Sequence, residues 1–136
     1  MRITRTIKPY TDKVIYPELS YLLTGIFFKA QDALGRFARE RQYGDFTEER
    51  LKSLAIPYER EKTIPVEVDG KLIKSNRVDF VIDNKIILEF KSLPFITKAE
   101  YDQIQRYLRI SSYKLGMIVN FRAKYLKPKR VVNNQI

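Results

Sequence analysis

The stretch Arg77-Val78-Asp79-Phe80-Val81-Ile82-Asp83-Asn84-Lys85-Ile86-Ile87-Leu88-Glu89-Phe90-Lys91 constrains the fold more than any other part of the chain. Residues 78–82 and 86–90 are rich in Val, Ile and Phe. Asp83-Asn84-Lys85 between them is turn chemistry, so the stretch predicts a β-hairpin. Side chains alternate faces along a strand, and a slip of one residue moves every contact to the other face. Pairing Ile82 with Ile86 sets Phe80 against Leu88 and Val78 against Phe90, three apolar pairs that predict a packed face. This register needs a three-residue loop at 83–85, a common hairpin length. It also sets Asp79 opposite Glu89, with Lys91 two residues further along the same face. A two-residue turn would separate the two acids onto opposite faces.

Two facing carboxylates repel. Their Cβ atoms would stand about 5 Å apart, a spacing that also suits the grip of one divalent cation. A lysine beside them can steady an anionic oxygen. The other reading is a solvated sheet face carrying a salt bridge, and the hairpin alone does not choose between them.

Composition narrows the chemistry. The 136 residues hold no cysteine and no histidine. Thiol nucleophiles, Ser-His-Asp triads and Cys/His zinc sites are therefore excluded. Any metal must be bound by oxygen, which favours magnesium, manganese or calcium. The formal net charge of +10 predicts a polyanionic partner, bound through phosphate contacts; a merely basic surface is the alternative. An apolar fraction of 44% fits one globular domain. No apolar run reaches the roughly 20 residues that span a bilayer, so no membrane is expected. The opening residues 1–8 lack the apolar region of a signal peptide, and a cytoplasmic location is expected by default.

Along the chain, residues 1–15 read as loosely ordered. Tyr16-Pro17-Glu18 opens a helix over 16–34, with Leu19, Leu22, Leu23, Ile26, Ala30 and Ala33 at helical spacing. Tyr21, Phe27 and Phe28 cover another flank, so this helix is either sandwiched in the core or lies at a homodimer contact. Gly35 ends it. A second helix spans 37–55, with Phe37, Tyr43, Phe46, Leu51 and Leu54 as its apolar set and Gly44 as a candidate kink. Glu40 and Tyr43 share one face of it.

Tyr58 to Val68 reads as one strand, ending at the turn Asp69-Gly70. Leu72 and Ile73 begin the next, which runs through Ser75-Asn76 into the hairpin. Thr97-Lys98-Ala99-Glu100 is a capping box opening a helix over about 98–110, with Tyr101, Ile104 and Leu108 as its core stripe. Gln103 and Tyr107 lie on the neighbouring face. Leu115 to Phe121 reads as a buried strand parallel to 86–91, and residues 122–136 as a basic tail with a short edge strand. The order predicts an α+β fold, a mixed sheet flanked by helices.

Asp79, then Glu89-Phe90-Lys91, then Gln103 and Tyr107 on the next helix resemble the PD-(D/E)XK nuclease superfamily. Val78 stands where the motif has its proline. The Gln-x-x-x-Tyr element resembles that of the RecB-like and lambda-exonuclease-like branches. The resemblance covers residues 35–121 and implies a restriction-endonuclease-like αβββαβ core, with 16–34 as an extra N-terminal helix. Leu34-Gly35 with Glu40 and Tyr43 is similar to the leading-helix signature of the GxxExxY proteins, a branch of that superfamily; Phe37 stands where the signature has its glycine. Leu115 to Phe121 resembles that branch's last core strand.

The resemblance implies a metal-dependent nuclease using magnesium, with manganese as a substitute, and nucleic acid as substrate, DNA favoured over RNA. Asp79, Glu89 and the Phe90 carbonyl would hold the metal. Lys91 would position and activate water, Glu40 would orient water or a second metal from the leading helix, and Gln103 would hold the site together or touch substrate. Tyr107, Lys124, Lys127, Lys129 and Arg130 are the candidates for nucleic-acid contact, against the plainer readings of a core tyrosine and a solubilising end. A nucleic-acid-binding module that cuts nothing and an assembly protein using helix 16–34 are the competing functions.

Overall fold

The structure, a computed structural model, describes residues 15–73 and 76–135. Residues 1–14 and the expected strand run through Ser75 lie outside the described residues. Helix α1 spans Pro17–Leu34 and α2 Glu40–Ser53. Strands β1 (Tyr58–Thr63), β2 (Val66–Val68), β3 (Lys71–Ile73), β4 (Arg77–Ile82) and β5 (Ile86–Lys91) follow. Helix α3 (Lys98–Ser111) crosses to β6 (Leu115–Asn120), and β7 (Lys129–Val132) closes the order.

The main sheet has five strands in the order β1-β4-β5-β6-β7. It is mixed: β5 and β6 run parallel across the α3 crossover, and the other neighbours run antiparallel. The predicted hairpin register is present, with Ile82 opposite Ile86 and Phe80 opposite Leu88. Asp83 and Asn84 take left-handed backbone angles (φ 51 and 54) in the turn, where Asn and Asp tolerate them best. β7 is the predicted edge strand, so the basic end is partly built into the sheet.

Both faces of the sheet are covered. Phe80, Ile82, Ile86, Leu88 and Phe90 meet α1 and α2 in one core. Val81 and Ile87 on the other face meet Ile104 and Leu108 of α3 in a second. All six residues of β6 are buried, as a doubly covered strand requires. α3 lies so close that a Cβ on Gly116 would come 2.9 Å from Ile104 Cγ1. The predicted capping box opens α3: the Thr97 hydroxyl accepts from the Ala99 amide, and Glu100 accepts from the Thr97 amide at 2.7 Å.

Four expectations are corrected. The single strand over 58–68 is broken at Ile64-Pro65, and β2 leaves the main sheet to pair with β3 around Asp69-Gly70. Proline has no amide hydrogen for a ladder, which explains the break. Val78 does not share the Phe80–Phe90 core but packs in the second one. Pairing is distorted there: the β1–β4 partners step from Arg60–Phe80 to Lys62–Val78, and the intervening Glu61 has φ 53. Such a local defect redirects side chains in a strand pair.

The second helix starts at Glu40 rather than 37, and Phe37 is exposed. Gly44 serves close approach instead of a kink, since a Cβ there would collide with the Arg60 guanidinium.

Candidate active site

The site lies where the β4–β5 hairpin opens. Ladder pairs between these strands are recorded from the turn to Phe80–Leu88. Beyond that point β4 pairs with β1 through Lys62–Val78 and Thr63–Arg77. β5 keeps the β6 neighbour it has from Ile86 onward, through Glu89–Ile118, Phe90–Val119 and Lys91–Asn120. The sheet forks, and Asp79 sits in the fork. Its Oδ2 accepts the Phe90 amide hydrogen at 2.6 Å, so a side chain satisfies a backbone donor that the parted strand leaves open.

Glu89 stands beside it, 6% exposed. Burial pushes its carboxyl up, the Asp79 charge and hydrogen bond push it further, and the result is about 9 against an ordinary 4.5. Lys91 pulls the other way and Glu40 adds to the rise. Without a cation, then, Glu89 keeps a proton at neutral pH in a hydrogen bond with Asp79. The Lys91 ammonium reaches Gln103 Oε1 on α3 at 3.4 Å.

Glu40, the first residue of α2, faces the same end. Loss of hydration raises its carboxyl, and Asp79 raises it further; Lys91 and the Ser92 amide lower it. α2 is fixed by Arg60 of β1, which donates to Asp45 at 2.7 Å, Glu48 at 2.9 Å and the Arg41 carbonyl at 3.3 Å. Tyr43, one turn after Glu40, is fully buried and stacks on Phe121 with ring centroids 4.0 Å apart. Its hydroxyl donates to the Gly35 carbonyl, tying α2 to the end of α1. Phe90 packs edge-on against Phe27 and Phe121, so the backbone between the two catalytic candidates of β5 rests on a rigid aromatic core.

Asp79, Glu89, Lys91, Glu40 and Gln103 are thus brought to one end of the sheet. Lys124, Lys127 and Lys129 are exposed on the β6–β7 connection and the start of β7. Tyr107 is buried in the second core, its hydroxyl raised by burial and by the Glu89 charge. Arg130 donates to the Ser20 hydroxyl and, at 2.8 Å, to the Ile15 carbonyl, joining β7 to α1. Both are held by the protein's own atoms.

Sequence reasoning missed Arg41 and Arg77, which line a cleft of about 430 Å³ together with Glu40 and Asp79. It also missed Asn120. That side chain accepts the Leu93 amide at 3.0 Å and donates to the Leu93 carbonyl at 2.9 Å, holding the chain just after Lys91. The signal was present: Asn120 is a polar residue closing an otherwise apolar strand.

Among the described residues no group of three or more acidic, histidine or cysteine side chains is arranged to hold a metal. Magnesium is commonly held by one or two carboxylates with water completing its shell. Half-buried Asp79 and buried Glu89, two all-oxygen donors sharing a proton that an ion could replace, fit such an ion. Among the described residues no helix is long and apolar enough to cross a membrane.

A comparison with curated proteins gives no significant match. The crystal structure of SSO0001 is similar in fold, with a TM-score of 0.53 at 23% identity over 88% of this chain. The chain spans 60% of the length of that protein. The family model of the PD-(D/E)XK nuclease superfamily matches residues 17–132, from the start of α1 to the end of β7. With a match over most of its length and the acids of the motif gathered at the sheet fork, this chain belongs to the PD-(D/E)XK nuclease superfamily.

Proposed function

We propose that the chain is a divalent-metal-dependent nuclease that hydrolyses phosphodiester bonds of nucleic acid, with DNA favoured over RNA. The observation that carries the reading is the Asp79–Glu89 pair, a half-buried and a buried acid held together in the fork, where a hard cation could take the place of their shared proton. Asp79, Glu89 and the Phe90 carbonyl would hold magnesium, or manganese in its place. The bound ion would polarise the phosphoryl group and acidify water.

The chain's own groups do the rest. Glu89 would have to give up its retained proton to serve as a ligand, so metal affinity should rise with pH. Lys91 offers its ammonium to charge developing on the phosphate, and Gln103 holds that ammonium in place. Glu40 faces the acids from α2, and its raised carboxyl suits it to accept or orient a water proton. Glu40 before a buried Tyr43 also supports a place near the GxxExxY branch. Arg41 and Arg77 beside the cleft suit phosphate contact.

A second reading, a nucleic-acid-binding module that does not cut, draws on the small number of acids at the fork. Magnesium-dependent cleavage of end-labelled DNA and RNA separates the two. The nuclease reading expects cleavage that chelation abolishes and that Asp79→Ala, Glu89→Ala and Lys91→Ala each remove. Cleavage unchanged in all three variants would overturn it.

A further inference from the structure

A second groove, of about 420 Å³, opens beside the end of β5. Phe95 and Ile96 of the β5–α3 loop form one wall, and Tyr125, Lys127 and Lys129 of the β6–β7 segment form another. Among the described residues no carboxylate lines it. Phe95 is 70% exposed and Tyr125 81%. Lys124 extends the basic rim, its ammonium 5.6 Å from the Tyr125 ring centroid.

The groove is tied to the acids by Asn120. This residue lines it, is the ladder partner of Lys91, and pins Leu93 two residues before Phe95. The aromatic wall is therefore carried by the chain that leaves Lys91, on a backbone held at both its amide and its carbonyl.

We propose that this groove binds single-stranded nucleic acid, its bases stacking on Phe95 and Tyr125 and its phosphates meeting Lys124, Lys127 and Lys129. Open aromatic faces interleaved with lysine are what unpaired bases need, because each base offers a π-face only when it is out of a duplex. Lysines alone would bind any phosphate backbone, and an apolar partner would not want three ammonium groups. Continuity with Lys91 makes the groove the approach by which an unpaired end or loop reaches the fork. The proposal rests on the nucleic-acid part of the reading above and not on hydrolysis.

The test is fluorescence anisotropy in EDTA, where turnover plays no part. Three labelled probes are compared: an oligothymidylate of about 12 nucleotides, within the site sizes of single-strand binders, an abasic strand of equal length, and a duplex. The wild type is expected to bind the oligothymidylate more tightly than the other two. The double variant Phe95→Ala/Tyr125→Ala should weaken oligothymidylate binding about tenfold or more while leaving the abasic strand unaffected. Both rings are exposed, and an unchanged melting temperature checks that the variant folds. Equal binding of oligothymidylate by variant and wild type, or no preference of the wild type over the abasic strand, would overturn the proposal. Retained stacking without any cleavage activity would leave this groove standing while removing the nuclease reading.

Discussion

The two ends of the β4–β5 hairpin start from similar strands and are put to different uses. At the turn, Ile82–Ile86 and Phe80–Leu88 are paired, apolar and buried. At the other end the strands part, and Asp79, Glu89 and Lys91 gather where ladder pairs would continue. The closed end concentrates burial and backbone pairing. The open end concentrates charge at a cost, because Glu89 is desolvated beside another acid. A pattern that is unfavourable to the fold marks the place where a ligand can be favourable.

The largest contrast expected is between Glu89→Ala and wild type in magnesium-dependent cleavage, a loss on the order of 10³-fold. The same variant should melt in EDTA at neutral pH at or above the wild-type temperature, because the cost of holding a proton on a buried acid is gone. Loss of both activity and fold would erase the distinction between the ends. At the closed end Leu88→Ala should do the reverse. It should cost about 2–5 kcal/mol of stability in urea titration, with cleavage per folded molecule retained.

A smaller effect appears against pH. The Glu89 carboxyl is ordinary near 4.5 in the unfolded chain and about 9 when folded without metal. The folded state therefore binds the extra proton, and the stability it contributes is full below pH 4.5 and lost as pH rises through about 9. Melting in EDTA from pH 5 to 9 should decline in the wild type and decline less in Glu89→Gln. Equal slopes would remove the buried-acid account. The smallest effect is expected from Gln103→Ala, which frees the Lys91 ammonium: kcat falls by a few-fold, in line with one hydrogen bond of about 1 kcal/mol, with KM little changed.

The closed end was legible in the sequence because period-two alternation and turn chemistry are local signals. The register from Ile82 to Leu88 follows from them, as does the capping box at Thr97 and Glu100. The detachment of β2 was also legible in Pro65, had its missing amide hydrogen been weighed against the alternation of Ile64, Val66 and Val68. The fork was not. Its position depends on Glu61 of β1 and on which neighbour each strand prefers beyond Leu88, and both are tertiary facts.

Gly44 shows the same limit: a helical glycine reads as a kink until Arg60 is seen lying across it from another strand. Asp79, Glu89 and Lys91 could be named from spacing, but not that the Asp79 carboxylate would take the Phe90 amide. Arg41 and Arg77 carried no motif, and only the fold places them at the cleft.

Manganese binding followed by electron paramagnetic resonance tests the central claim most directly. The wild type should remove free manganese from the spectrum with one dominant site, and Asp79→Ala and Glu89→Ala should each leave that manganese free while Leu88→Ala, measured where it is folded, still binds it. Undiminished binding in both acid variants would contradict the claim that the open end of the hairpin is built for a hard cation.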